Sequence, residues 1–190
     1  MLRTVAETAK RQFRIGLALF LCLSIIGCSR AEQAPVPSPA QQCVADTTDL
    51  ERHRVERVVD GDTLHLDGGD SVRLIGVNTP EIGRDGRADE PLARDAQKAL
   101  AGMLGSSPMV WLQDGEQSRD RYDRRLAYAF DENGASLSGR IIARGLGFHV
   151  VVAPNDRYAA CLQTQEDLAR AGRSGIWVDP AFAARAVRAL

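Results

Sequence analysis

The chain has 190 residues, with 24 Lys and Arg against 25 Asp and Glu, so its formal net charge is −1 at pH 7. That balance excludes a protein that attracts polyanions over its whole surface, and any nucleic-acid binding would need a local positive patch. The length allows one domain with a proper hydrophobic core.

The chain starts with a segment typical of an export signal. Lys10, Arg11 and Arg14 precede an apolar run over residues 15–26, which is too short to span a bilayer comfortably. The run ends in Gly27 and Cys28 and resembles a bacterial lipoprotein signal. We therefore expect residues 1–27 to be removed and Cys28 to carry a lipid that anchors an exported protein to a bacterial membrane at the cell envelope. Ordinary cleavage that releases a secreted or periplasmic soluble form is the alternative.

The segment after this signal is rich in Pro, Ala and Gln and contains nothing that could form a packed core. Residues 28–42 are therefore predicted to be a flexible tether. The folded domain is expected over residues 43–180, with residues 181–190 as a tail. Loss of residues 1–27 takes away four basic residues and one acidic residue, so the net charge falls from −1 to about −4.

Two cysteines remain once Cys22 leaves with the signal and Cys28 carries lipid. In an oxidising compartment an even pair favours a disulfide, so Cys43 and Cys161 are predicted to join the segment before the first strand to a C-terminal helix. Closing so long a loop would contribute roughly 5 kcal/mol in the chain-entropy model. Two unpaired buried thiols are the alternative.

Alternating apolar residues between residues 54 and 77 predict three strands. Glycine-containing turns at residues 60–62 and 67–70 separate them, which indicates a meander. Helical spacing predicts a helix over residues 90–105. Two more strands are predicted over residues 109–114 and 124–131.

Two further helices complete the predicted elements. A short helix is expected over residues 138–145 and a longer one over residues 156–171, in which Leu162, Gln165, Leu168 and Ala169 would share a face. Five strands in meander order, with a helix between the third and the fourth, predict an α+β fold built on a small closed barrel of the OB type.

Two polar stretches could bind a metal ion. Residues 60–63 (DGDT) form a strand-to-strand turn, and Asn78 and Glu81 follow a strand on a loop that Pro80 stiffens. The Asp62 carboxylate, the Asn78 side-chain oxygen and a backbone carbonyl could bind Ca²⁺, which prefers hard oxygen ligands, with Glu81 just outside. On its own, each stretch more often has a purely structural role, since Asp-Gly is a common hairpin corner.

Arginines occupy one unusual strand position and one dense cluster. Arg73 lies among apolar residues, where a guanidinium is costly to desolvate unless it meets an anion, either a structural carboxylate or a bound ligand. Four further arginines fall within residues 119–125. A solvated cluster is the usual explanation, but forks from Arg73 and one of these arginines could clamp a phosphate and its developing charge.

Four motifs occur in an informative order. VVDGDTLHL (58–66), VRLIGVNTPE (72–81), RDRYDRRLAY (119–128) and GLGFHV (145–150) resemble successive motifs of the staphylococcal nuclease (thermonuclease) family. The resemblance runs from about residue 54 to residue 177. It implies an OB-fold and calcium-dependent hydrolysis of DNA and RNA that leaves 3′-phosphate ends.

The resemblance also implies a calcium site. Asp62 resembles the family's calcium aspartate, and Thr79 resembles the residue that offers its backbone carbonyl. Asn78 departs from the family, whose calcium enzyme has a second aspartate there. The amide oxygen can still coordinate, but the lost negative charge should weaken Ca²⁺ affinity, because ligand charge count tunes it.

The same resemblance implies catalytic and substrate-binding residues. Glu81 resembles the candidate general base, and Arg73 and Arg124 resemble the phosphate-binding pair. Tyr122 matches a tyrosine of the nucleotide pocket, and Arg121 beside it is expected to contact substrate. A second departure is that GLGFHVVVAPND (145–156) lacks the family's second pocket tyrosine and has valines or His149 nearby instead, so base stacking should be looser.

Two other functions are consistent with the sequence. An OB-fold can bind single strands without cutting them, although such a module would be expected to lack the carboxylates or the arginine pair. An envelope interaction module would instead pair its arginines internally with Asp and Glu, and salt-dependent binding to oligonucleotides would separate it from the other two. No protein partner is implied, and we expect a monomer.

Overall fold

The structure, a computed structural model, describes residues 43–106 and 108–178. The predicted signal over residues 1–27, Cys28, the tether up to residue 42 and the tail over residues 181–190 lie outside the described residues, as do the last two residues of the predicted domain. Within the described part of the chain, no helix combines the length and the apolar composition needed to cross a membrane.

The described residues form seven strands, three α-helices and one short 3₁₀ helix. The strands are β1 (Glu51–Val58), β2 (Thr63–Leu66), β3 (Ser71–Leu74), β4 (Val77–Asn78), β5 (Met109–Arg119), β6 (Arg125–Phe130) and β7 (Phe148–His149). The helices are α1 (Ala93–Leu104), α2 (Leu137–Ala143), α3 (Ala159–Ala171) and the 3₁₀ helix Gly175–Trp177.

Five strands close into a barrel in the order β1-β2-β3-β6-β5, which confirms the predicted five-stranded barrel with a helix after its third strand. The full meander order was wrong, because β3 pairs with β6 in parallel and β5 pairs with β1. A parallel neighbour requires a crossover connection of a dozen or more residues, which α1 and β5 supply here.

The strand expected to run through residue 77 is interrupted at Gly76. β3 ends at Leu74, and β4 leaves the barrel to pair with β7 in a small separate sheet. Gly76 has a φ of 85°, and a Cβ there would clash with Leu162 of α3. The β4-β7 sheet was not predicted, because strands of two residues give no period-two signal. It holds the start of the loop that carries Thr79.

The main apolar cluster fills the barrel and the space beneath the helices. Its members include Leu64, Val72 and Leu74 from the strands and Leu100, Ile141 and Leu162 from the helices. On α3, the residues Leu162, Gln165 and Ala169 are buried as predicted, but Leu168 is exposed. Leu168 lies about 120° around the helix from Leu162, which takes it off the buried face.

The structure joins Cys43 and Cys161 by a disulfide, so the segment before β1 is tied to α3. Cys43 is buried, and its carbonyl accepts a hydrogen bond of 2.7 Å from the backbone N–H of Ser136. Ser136 in turn caps α2, since its side chain accepts from the N–H of Gly139. Three separate parts of the chain are therefore connected at this point.

Candidate active site

The turn between β1 and β2 holds two buried carboxylates, Asp60 and Asp62. Asp60 Oδ1 accepts from the Asp62 backbone N–H at 3.1 Å, a local bond typical of Asp in turns. Glycine is required between them, because a Cβ at Gly61 would lie 2.6 Å from Ala96 Cβ on α1 and 2.7 Å from Thr79 Oγ1. The turn is therefore packed tightly between α1 and the loop after β4.

Asp62 connects this turn to the loop after β4. Its Oδ2 accepts from the Thr79 backbone N–H at 2.8 Å and from the Thr79 hydroxyl at 3.1 Å. Its Oδ1 lies 3.2 Å from Arg73 Nε. Burial raises the pKa of Asp62, while the Arg73 guanidinium opposes this rise and the Asp60 charge adds to it. Asp62, Arg73 and Thr79 thus form one buried polar unit.

Arg73 meets acceptors that belong to the protein itself. Besides the contact with Asp62, its Nη1 donates to the carbonyls of Leu74 at 2.6 Å and Val77 at 2.8 Å. Its Nη2 donates to Asn78 Oδ1 at 2.8 Å. A guanidinium has five N–H donors, so one N–H on Nη2 remains for a ligand. The anion that Arg73 meets is therefore a structural carboxylate, that of Asp62, and one N–H of the guanidinium is left for a further hydrogen bond.

Glu81 lies on the open side of this unit. Its backbone N–H donates to Glu90 Oε2 at 2.8 Å, and its carbonyl accepts from the Glu90 N–H at 2.9 Å, so Glu90 holds the loop. The exposed Glu81 side chain lines a cleft of about 890 Å³. Partial desolvation raises the pKa of the Glu81 carboxyl group, and the charges of Asp62 and Asp60 raise it further.

Arg124 lies immediately before β6 and is oriented by Asp120. Asp120 Oδ2 accepts from Arg124 Nε at 2.7 Å, and Oδ1 accepts from the backbone N–H groups of Arg124 and Tyr122 at 3.0 and 2.8 Å. Burial acts to raise the pKa of Asp120, but these hydrogen bonds outweigh it and lower the pKa. Among the described residues, no acceptor contacts Arg124 Nη1 or Nη2. Both groups therefore remain available to a ligand.

Tyr122 and Arg121 lie beside Arg124. Tyr122 is 65% exposed, and the guanidinium carbons of Arg121 and Arg124 lie 4.7 and 5.6 Å from its ring centroid. Arg121 Nη2 also donates to the Tyr122 hydroxyl at 2.7 Å. Tyr122 lines a second cleft, of about 420 Å³, together with Val150 and Val152. This cleft offers one aromatic ring and apolar side chains, consistent with the absence of a second tyrosine from the sequence.

The two clefts share a wall at Arg124. Glu81 and Arg124 line the larger cleft, whereas Arg73, Arg124 and Tyr122 line the smaller one. The structure thus places the proposed base and both proposed phosphate-binding arginines around two adjoining spaces. Asp62 does not line either cleft and lies behind Arg73.

Sequence reasoning missed two residues that hold this site, Asp120 and Glu90. For Asp120 a signal was present, because an Asp four residues before an arginine at a strand-initiating turn can bond the backbone and the side chain at once. The contact of Glu90 with Glu81 depends on how a nine-residue loop folds back. No local pattern indicates such a contact.

The oxygen donors around Asp62 fit a hard cation. Negative charge accumulates at Asp60, Asp62 and Glu81, and a divalent cation would relieve it. Within the described ranges, no three His, Cys, Asp or Glu side chains are grouped so that they could hold a metal ion. Neutral oxygens, such as the Asn78 amide and the Thr79 carbonyl, and water would therefore have to complete the coordination. The Asn78 oxygen would have to share its bond with Arg73.

Comparisons with known proteins identify the family to which the chain belongs. Residues 71–179 match the family model described as Staphylococcal nuclease homologue. The thermonuclease of Staphylococcus intermedius is 32% identical over 132 residues, which cover 67% of this chain and 76% of that protein. The thermonuclease of Staphylococcus hyicus is 30% identical over 129 residues, or 66% of this chain and 75% of that protein.

A third similar protein is the endonuclease YncB of Bacillus subtilis (strain 168), which is 29% identical over 127 residues, or 65% of this chain and 60% of that protein. The family match begins at β3, so it includes Arg73, Glu81 and Arg124 but not Asp62. Because the match covers more than half of the chain and the five-stranded barrel is the predicted one, the chain belongs to the staphylococcal nuclease homologue family.

Proposed function

We propose that this protein is a nuclease that hydrolyses phosphodiester bonds of DNA and RNA with the help of Ca²⁺ and leaves 3′-phosphate ends. The observation that carries the proposal is that Glu81 and the uncommitted Nη groups of Arg124 line one cleft. A candidate base and a cationic fork therefore face the same space. Membership of the family and the similarity to proteins named thermonuclease and endonuclease support the nuclease activity.

The chemistry requires a positioned water and neutralisation of the charge that builds up on the phosphate oxygens. Glu81 is suited to orient or deprotonate the water, and its raised pKa makes it a better proton acceptor. Arg124, held by Asp120, can contact two phosphate oxygens at once. Arg73 adds a single N–H from the other cleft.

Asp62, Asn78 and Thr79 would hold the calcium ion, which when bound supplies positive charge at the phosphate. Because Asn78 replaces a negatively charged ligand by a neutral one, we expect the site to need a higher Ca²⁺ concentration than one with two aspartates. Asp62 would contribute its carboxylate and Thr79 its backbone carbonyl.

The test is cleavage of labelled single-stranded DNA, duplex DNA and RNA by the purified protein, in Ca²⁺ and in chelator. We expect cleavage only with Ca²⁺ and products that carry a 3′-phosphate. Glu81→Gln should lower kcat by roughly 10²- to 10⁴-fold, the usual contribution of general acid–base catalysis, while oligonucleotide binding persists. Wild-type protein that shows no calcium-dependent cleavage of any of the three substrates would contradict the proposal.

A module that binds single strands without cutting them is the second candidate. The observation that favours it is that Asp62, the proposed carboxylate ligand of the metal, is already neutralised by Arg73, whereas the Nη groups of Arg124 have no acceptor among the described residues and can still bind a strand. Such a module would bind oligonucleotides in a salt-dependent way without cleaving them. The cleavage assay and a binding measurement together separate the two functions.

We further propose that the protein works at the cell envelope, anchored through a lipid on Cys28. The support lies in the sequence alone, in the basic start, the short apolar run over residues 15–26 and the glycine before Cys28. Metabolic labelling with a fatty acid should mark the wild-type protein and not Cys28→Ala. Absence of label from the wild-type protein would exclude the lipid anchor.

A further inference from the structure

A row of polar side chains crosses the barrel beside the proposed catalytic cleft. Arg57 of β1 pairs in register with His65 of β2, and His65 pairs with Ser71 of β3. The parallel register of β3 and β6 places Arg124, which directly precedes β6, next to Ser71. All four residues line the cleft of about 890 Å³. We call Arg57, His65, Ser71 and Arg124 the basic row.

Among the described residues, no carboxylate offsets the charge at the Nη groups of either arginine of the basic row. Among the described residues, Arg57 forms no ion pair, and its Nη2 lies 3.1 Å from His65 Nδ1. The Nη groups of Arg124 have no protein acceptor in the described part of the chain. Two other arginines of the cleft do have carboxylate partners, at 3.9 Å for Arg84 and 2.7 Å for Arg94. Arg87 also lines the cleft and pairs with no carboxylate among the described residues, but it lies on the loop after β4 beside the acidic side chains. Within the row, an anion therefore gains most at the two ends.

The acidic groups of this cleft and the basic row come from different parts of the fold, although Arg84 and Arg87 share the loop after β4 with the acidic groups. Its acidic side chains belong to the β1–β2 turn and to the loop after β4, and they are Asp60, Glu81, Asp85 and Glu90. The basic row lies on the strands of the barrel. A polyanion can therefore lie across the strands with its backbone on the arginines, while Glu81 approaches it from the other wall.

We propose that the basic row binds the phosphodiester backbone of a single strand of DNA or RNA on one side of the phosphate that is cut, an inference that rests on the proposed function. Its four positions span three interstrand spacings of about 4.8 Å, or ~14 Å. At a stacked rise of about 3.4 Å per nucleotide, this length corresponds to roughly four nucleotides.

Arg124 joins the basic row to the cleft of Tyr122. A strand that follows the row from Arg57 reaches Arg124 and then the exposed ring of Tyr122, on which a base can stack. A positive groove next to an aromatic side chain is the usual arrangement for holding single-stranded nucleic acid. The substrate class that this geometry favours is an internal segment of a polynucleotide rather than a dinucleotide.

The test compares Arg57→Ala with Arg54→Ala. Arg54 is an exposed arginine of the same strand that lines neither cleft, so its loss removes the same charge away from the row. Both changes are made in the Glu81→Gln protein, which should bind without cutting. Fluorescence anisotropy gives the Kd of labelled two- and eight-nucleotide single strands at several salt concentrations.

We expect Arg57→Ala to weaken octanucleotide binding by about 10- to 100-fold, the effect of losing a hydrogen bond to a charged group. Its plot of log K against log salt should be less steep by about 0.7, the value for one lost phosphate contact on a single strand. Dinucleotide affinity should match that of Arg54→Ala. Arg57→Gln, which keeps most of the side-chain stem, should reproduce the loss if charge rather than packing is responsible.

The possible outcomes distinguish failure of strand binding by the row from failure of the proposed nuclease activity. Equal octanucleotide affinities and salt slopes for Arg57→Ala and Arg54→Ala would contradict strand binding by the row. Calcium-dependent cleavage by the wild-type protein would in that case still support the proposed nuclease activity. If Arg57→Ala alone lost octanucleotide affinity but the wild-type protein did not cleave, strand binding by the row would be supported and the proposed nuclease activity would be contradicted. Absence of octanucleotide binding by the Glu81→Gln protein would overturn the row as well.

Discussion

Two arginines of one site are used in different ways. Arg73 directs three of its nitrogen atoms to Asp62, to backbone carbonyls and to Asn78, whereas Arg124 offers Asp120 its Nε alone. Arg73 therefore holds the residues of the proposed metal site and has one N–H left that a ligand could accept from. Arg124 is free to act as a fork and should carry the larger share of phosphate binding.

The first prediction concerns Arg124. Arg124→Lys keeps the positive charge but removes the planar fork, so we expect kcat to fall by about 10²-fold, as for the loss of one preorganised donor. Steady-state kinetics with single-stranded DNA in Ca²⁺ would measure it, and Arg54→Lys is the matched control that should match the wild-type rate. A wild-type kcat for Arg124→Lys would show that no fork is needed.

At the scale of secondary-structure elements, the site depends on the contact between the β1–β2 turn, the loop after β4 and α1. Gln97 of α1 donates from Nε2 to the carbonyls of Val58 at 3.2 Å and Val59 at 2.8 Å. Asp62 and Thr79 join the turn to the loop. A shift of α1 would therefore move both the proposed metal ligands and the loop that holds Glu81.

The second prediction tests this contact with Gly61→Ala. The new Cβ would meet Ala96 and Thr79 at 2.6 and 2.7 Å, so the three elements must separate. We expect the free energy of unfolding to fall by about 1–3 kcal/mol, the usual cost of overpacking, and calcium-dependent cleavage to fall with it. Urea unfolding and initial cleavage rates measure the two effects.

Gly102→Ala is the control for this change. Gly102 lies in α1, the helix that also contains Ala96, and a methyl group added there would meet nothing within 4 Å. The substitution should therefore stabilise the protein by up to about 1 kcal/mol through helix propensity. If Gly61→Ala unfolded at the same urea concentration as Gly102→Ala, the close packing around the turn would contribute nothing to the free energy of unfolding.

At the scale of the whole molecule, distant parts of the chain are joined by a few long-range links. Arg125, which is largely buried, pairs through Nε with Asp114 at 2.6 Å and through Nη2 with Glu51 at 2.9 Å, so it connects β6, β5 and β1 where the barrel closes. The disulfide between Cys43 and Cys161 joins residues 118 positions apart. Both links constrain elements that have no local reason to meet.

The third prediction concerns the disulfide. Replacing both cysteines, Cys43→Ala with Cys161→Ala, should lower the free energy of unfolding by about 2–5 kcal/mol, because the unfolded chain gains freedom. Urea unfolding with and without reductant measures the loss. Reductant should destabilise the wild-type protein and leave the double variant unchanged. A wild-type protein that is insensitive to reductant would show that the bond contributes nothing to stability.

Local pattern was sufficient for most elements of this fold. Period-two alternation located the five barrel strands, and helical spacing located α1, α2 and α3 within a few residues. The alternation of apolar residues predicted that β5 ends at residue 114, but the strand continues to Arg119. The second half of β5 is mostly exposed and polar, so it shows no such alternation. Periodicity reports burial along one strand and says little about which strand lies next to it.

The sequence by itself determined the barrel class, the cysteine pair available for a bond and the order of the four polar motifs. Only the tertiary structure decided that β3 pairs with β6, that Arg73 turns inward to Asp62, and that Asp120 accepts from the Nε of Arg124 and not from its Nη groups. The physical reason is that a side chain's partners depend on distances between segments far apart in the chain, whereas a pattern of residue types depends on its nearest neighbours alone.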